Sequence, residues 1–107
     1  MSNKNLSTHG RPRIHVIRGV PLTTSLAVAE HFQKENFHVM RDIRNEIAAH
    51  ADPVFTDQHF FLAEHLTGRG KPVPIFRMTE IGFSLIAMGF TGARAKRWQR
   101  AYATTFA

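Results

Sequence analysis

Apolar positions along the chain change period several times, and each change marks an element. Ile14-His15-Val16-Ile17-Arg18 is short and β-branched, and Gly19-Val20 followed by Pro21-Leu22-Thr23 can turn the chain back, which predicts a small N-terminal hairpin. Thr24 or Ser25 then offers an N-cap, and Leu26, Ala29 and Phe32 recur at helical spacing, so a first helix of about two turns is expected to end near Gln33. After the polar break Lys34-Glu35-Asn36, the residues Met40, Ile43 and Ile47 mark one face of a second, clearly amphipathic helix running to about His50. Asp52-Pro53 ends it, because a proline ring disfavours helical geometry at the residue before it.

Phe60 to Leu66 and Val73 to Met78 flank Thr67-Gly68-Arg69-Gly70-Lys71-Pro72, the pattern of a β-hairpin with a glycine-rich, basic tip. Pro72 and Pro74 suggest that its second half is an edge strand. Thr79 can cap a third helix in which Ile81, Phe83, Leu85, Ile86, Met88 and Phe90 leave no polar face, placing it at the centre of the core. Gly89 and Thr91-Gly92 break the chain again, and residues 93–107 form a fourth helix without Pro or Gly. The fold expected is α+β: a small winged-helix-like domain with about four helices, a short N-terminal hairpin and a central β-hairpin as its wing. Residues 1–12, polar and interrupted by Gly10 and Pro12, read as a flexible basic arm, and residues 13–107 as one domain.

Composition narrows the partners. There is no cysteine, so thiolate zinc sites and disulfides are unavailable and a reducing compartment is the natural home. No signal-peptide pattern and no membrane-spanning run is present, which points to the cytoplasm. The net charge is +6, and every acid lies between Glu30 and Glu80. Segments 1–29 and 81–107 carry only positive charge, from Lys4, Arg11, Arg13 and Arg18 at one end and Arg94, Lys96, Arg97 and Arg100 at the other. Both ends should seek a polyanion, and nucleic acid is the first candidate.

On the second helix, 100° per residue turns His38, Arg41 and Asn45 away from the Met40, Ile43 and Ile47 stripe. Arg41 and Arg44 find no acid three or four residues away, so helical salt bridging does not explain them. Arg and Asn carry planar groups that match guanine and adenine edges in the major groove, which makes His38, Arg41 and Asn45 the candidate base readers. The last helix sets Ala95, Trp98, Tyr102, Thr105 and Phe106 on one side and Lys96, Arg97 and Arg100 on the other. With Arg44 and the hairpin-tip Arg69 and Lys71, these three are the candidate phosphate contacts. Gly68-Arg69-Gly70-Lys71 lacks the spacing of a phosphate-binding loop and leads into a strand. The seven histidines offer no compact ligand set, and Asp57, Glu64 and Ser84 form no nucleophile or acid/base arrangement. No catalytic residue, metal site or cofactor is expected, and the chain reads as not an enzyme.

Two stretches together resemble the phage regulatory protein Rha family, whose N-terminal domain is related in pattern to phage antirepressor DNA-binding modules. The stronger runs from Phe76-Arg77-Met78-Thr79-Glu80-Ile81-Gly82-Phe83-Ser84-Leu85-Ile86 to Gly92, followed by Ala95, Lys96, Trp98 and Tyr102. The other is Leu22-Thr23-Thr24-Ser25-Leu26-Ala27-Val28-Ala29-Glu30 continuing to Val39-Met40-Arg41-Asp42-Ile43. The chain departs from that pattern around Phe32–His38, where relatives often carry glycine after the first helix and histidine at the start of the second. The resemblance implies a Rha-like DNA-binding domain over 13–107, in a phage- or prophage-encoded regulator acting in the bacterial host cytoplasm. Double-stranded DNA is the expected partner, a homodimer is admitted, and no membrane is involved. The alternative is an antirepressor or host-factor inhibitor that binds a phage repressor or host regulatory protein.

Overall fold

The computed structural model describes residues 12–105, so the basic arm expected over 1–12 lies, apart from Pro12, outside the described residues. Among the described residues there are five helices and four strands. Strands β1 (His15–Ile17) and β2 (Val20–Thr24) pair antiparallel, with Ile17 opposite Val20. Arg18 and Gly19 have φ of 52° and 80°, the paired positive values of a type I′ turn, so the chain reverses one residue earlier than Gly19-Val20 suggested.

Thr24 is the N-cap of helix α1 (Ser25–Phe32), accepting from Ala27 N at 3.1 Å. Ser25, the other cap candidate, has a different job: its fully buried hydroxyl accepts from Phe76 N at 3.1 Å and tethers the helix to the sheet. Gln33 closes α1 in the left-handed conformation (φ 58°), where glycine is favoured, and two further residues lead to helix α2 (Asn36–Ala49).

A fifth helix, α3 (Pro53–His59), occupies a stretch that the sequence pattern left without structure. Asp52-Pro53 does end α2, but it also starts α3: the Asp52 side chain accepts from Val54 N at 3.0 Å, and Pro53 takes the first helical position, where its missing N–H costs nothing. The central hairpin is present as β3 (Phe60–Leu66) and β4 (Pro72–Met78), paired from Phe60↔Met78 to Leu66↔Pro72. Helix α4 (Glu80–Ala87) is capped by Thr79 as expected, and α5 spans Ala93–Thr105.

The sheet order is β1-β2-β4-β3. The proline-bearing strand is therefore not an edge strand. β4 lies between β2 and β3, but β2 reaches only Arg77 and Met78, so Pro72 and Pro74 sit where β4 has β3 alone for a neighbour. One face of the sheet contributes Phe60, Phe76 and Met78 to a single core with Val28, Phe32, Val39, Met40 and Ile43 of α1 and α2, and with Phe83 and Ile86 of α4. Helix α4 is less enclosed than its composition suggested, since Ile81 and, at its C-cap, Met88 are about half exposed. Its close approach is made at Gly82, where a Cβ would stand 2.6 Å from His59 O. In α5, Ala95 and Trp98 are buried and Tyr102 packs against the core, whereas the expected contributions of the Thr105 side chain and Phe106 lie outside the described residues.

Candidate nucleic-acid interface

Helix α2 has a cationic and an acidic flank. The core takes Val39, Met40 and Ile43, with Ile47 at its margin. Turning one way from that stripe brings Phe37, Arg44 and Arg41, at i, i+7 and i+4, onto the side next to the sheet. The position is confirmed by the Arg44 guanidinium, which stands 6.0 Å over the Phe76 ring, and by Asn36 Nδ2, which donates to Pro74 O at 3.2 Å. Turning the other way brings Asp42 and Glu46, which with Asn45 line a shallow cavity against Leu85, Ile86, Gly89 and Phe90.

The candidate base readers divide accordingly. Arg41 is exposed on the cationic flank, and among the described residues its ionic contact is Nε to Asp42 Oδ1 at 3.8 Å. The expectation that it lacks a local acid therefore needs correcting, because the adjacent residue supplies one, although at that length on an exposed pair the contact contributes little. His38 is half-buried with its ring 4.1 Å from that of Phe37. Asn45 is exposed but stands among acids at the α4 side, a poor approach for a phosphate backbone. Phe37, which sequence reasoning passed over, is 64% exposed in the first turn of α2; its only advance signal was an aromatic residue outside the Met40, Ile43 and Ile47 stripe.

The hairpin tip is held by Thr67, whose hydroxyl accepts from Arg69 N at 3.3 Å and Lys71 N at 3.1 Å. Both cations point into solvent. Because Asn36 anchors the start of α2 to Pro74, the tip lies roughly 13 Å further along β4 from the N-terminal end of α2. Structure thus brings Arg41, Arg44, Arg69 and Lys71 onto neighbouring elements.

On α5, Lys96, Arg97 and Arg100 are exposed within roughly a 100° arc, opposite Ala95, Trp98 and Tyr102. Trp98 fixes that orientation by packing edge-on to Phe83 and stacking on Tyr102, each with ring centroids 5.1 Å apart. Gln99 Nε2 lies 2.9 to 3.3 Å from the carbonyls of Ala87, Met88 and Phe90, closing the end of α4. Arg94 is used internally, donating to His31 O at 2.7 Å in the last turn of α1, and Lys34 stands 4.6 Å over Phe90. The start of α5 therefore abuts the α1–α2 connection.

Among the described residues the ion pairs are Arg13–Glu30, Arg41–Asp42 and His50–Glu46. None uses Arg44, Arg69, Lys71, Lys96, Arg97 or Arg100. No group of three or more potential ligands is placed to hold a metal, and no helix is long and apolar enough to cross a membrane, again among the described residues.

The family model for phage regulatory protein Rha matches residues 23–107. The chain belongs to the Rha family. This Rha protein is also 30% identical over 99 residues to a Salmonella phage P22 protein described as the uncharacterized 22.8 kDa protein in the gp15-gp3 intergenic region, a match that covers 90% of this chain and 48% of that protein. The Rha chain thus spans about half the length of that relative. No solved structure matches it.

Proposed function

We propose that this Rha-family chain is a phage- or prophage-encoded transcriptional regulator of the host cytoplasm that binds duplex DNA through a helix-turn-helix, α1 and α2, with the β3–β4 hairpin as a basic wing. The observation that carries the reading is that six exposed cations on α2, the hairpin tip and α5 stand outside every ion pair among the described residues. Exposed cations on three elements, outside the ion pairs among the described residues, suit a partner with repeated negative charge. Arg44, Arg69, Lys71, Lys96, Arg97 and Arg100 contact phosphates in this reading, and the exposed face of α2 enters the major groove with His38, Arg41 and Asn45 as base readers. Arg41 is the best placed of the three.

The experiment is Arg41→Ala, measured on a duplex selected by the wild-type chain from its own phage genome and on random duplex. A bidentate Arg–guanine contact predicts a loss of about 1–3 kcal/mol on the selected site and much less on random DNA. Equal weakening on both would assign Arg41 to the backbone instead. Capture of one defined phage or host protein, with no retention of duplex at low salt, would replace DNA by the protein-binding alternative.

A further inference from the structure

Strand β3 ends the sheet, and among the described residues its only ladder partner is β4. From Phe61 to Leu66 it is open to solvent apart from half-buried Ala63; Leu62 is 67% exposed and Leu66 65%. Proteins guard such edges with lysine, proline or a bulge. This edge has none of them: β3 contains no lysine or proline, its register with β4 runs unbroken over all seven residues, and Pro72 and Pro74 stand on the inner strand. An open strand whose exposed side chains are mostly apolar or aromatic, with Glu64 its one acid, is a template for another strand.

We propose that β3 is a dimerisation edge, pairing antiparallel with β3 of a second copy of this chain about a two-fold axis at Ala63. The strand is its own complement. Centring the pair on Ala63 is the register that engages every residue of Phe60–Leu66, setting Phe60 against Leu66, Phe61 against His65 and Leu62 against Glu64 on each side of the axis. Apolar side chains thus face apolar or aromatic neighbours or the stem of Glu64, and no like charges are opposed. Centring one residue later would place the two Glu64 carboxylates directly opposite each other. A foreign strand would need this complement by accident, whereas a second copy supplies it by symmetry.

The geometry of the pair follows from alternation. Even-numbered residues of β3 lie on the face that carries Phe60 and its partner Met78, and the Ala63 register pairs even with even. Both copies therefore keep α1 and α2 on the same side of one continuous eight-stranded sheet. The two hairpin tips point in opposite directions, roughly 30–40 Å apart by strand rise, which would set the two basic wings about one duplex turn apart on DNA. That last consequence rests on the DNA-binding reading; the dimer itself does not. Seven residue pairs make a small interface, so association should depend on concentration.

The test is analytical ultracentrifugation of the whole chain, without DNA, across a concentration series. The mass should rise from 12.1 kDa toward twice that value. Leu62→Glu, which opposes two carboxylates in the Ala63 register, should move the association midpoint upward by about tenfold or more, and adding Glu64→Lys to it should restore association. The chain has no cysteine, so Ala63→Cys is a clean second probe that leaves the core untouched. At the axis its two Cα atoms would stand about 4.5–5.5 Å apart, within disulfide range, and air oxidation with copper phenanthroline should give a covalent dimer. A monomer at every concentration overturns the proposal, as does a dimer that ignores Leu62→Glu and does not cross-link at residue 63. A dimer with these properties that binds no DNA upholds the edge and removes the DNA reading.

Discussion

Ser25 has no exposed surface, and its hydroxyl lies 3.1 Å from Phe76 N and 3.4 Å from Met40 Sδ, joining α1, α2 and β4 through one oxygen. Removing it would leave a buried backbone N–H without an acceptor, so Ser25→Ala should cost about 1–3 kcal/mol in chemical denaturation. A loss below about 0.5 kcal/mol, the usual range for a surface change, would contradict that role. Sequence offered Thr24 and Ser25 as equal cap candidates, because both hydroxyls can serve a helix N-terminus. What separates them is a strand 51 positions away, which no local pattern contains. Gln33 is a similar case: nothing local in the sequence marks it as a turn, and its backbone nevertheless takes the left-handed conformation that glycine would favour. Arg94 counts in the sequence only toward the positive charge of segment 81–107, yet it donates to His31 O in the last turn of α1, a contact that depends on how α5 docks.

At the scale of elements, the hairpins, both helices of the α1–α2 pair, α4 and α5 were legible because each carries its own period and its own cap or turn residues. Helix α3 was not, since seven residues give too few turns for a period, and Asp52-Pro53 carries the stop of α2 and the start of α3 in the same two residues. Pro72 and Pro74 pointed to an edge strand for a sound reason, but the edge they occupy is only the half of β4 beyond the reach of β2. Helix α5 separates burial from charge cleanly enough to test. Trp98→Ala should destabilise the fold by about 3–5 kcal/mol, because it removes the ring that packs on both Phe83 and Tyr102. Arg97→Ala with Arg100→Ala should leave the thermal midpoint nearly unchanged and weaken all duplexes alike, both side chains being exposed and outside any ion pair among the described residues. Unfolding by the double arginine change, or free access of a fluorescence quencher to Trp98, would reverse the assignment of the two faces.

Across the whole molecule, the confinement of all acids to residues 30–80 was plain in the sequence, whereas the way α2 divides its charges was not. The helical wheel placed His38, Arg41 and Asn45 together, but it could not say that β4 lies along the Arg44 side and α4 along the Asp42 and Glu46 side. That division makes Arg41 and Arg44, with the hairpin tip, the stronger part of the candidate interface and Asn45 the weaker. The proposed interface engages duplex DNA electrostatically, through several phosphate contacts at once. The most direct test is the affinity of the purified chain for duplex DNA across a salt series. Neutralising about five phosphates predicts a slope of about −4 to −5 in log K against log salt. A slope near zero, or no binding at low salt, would contradict it.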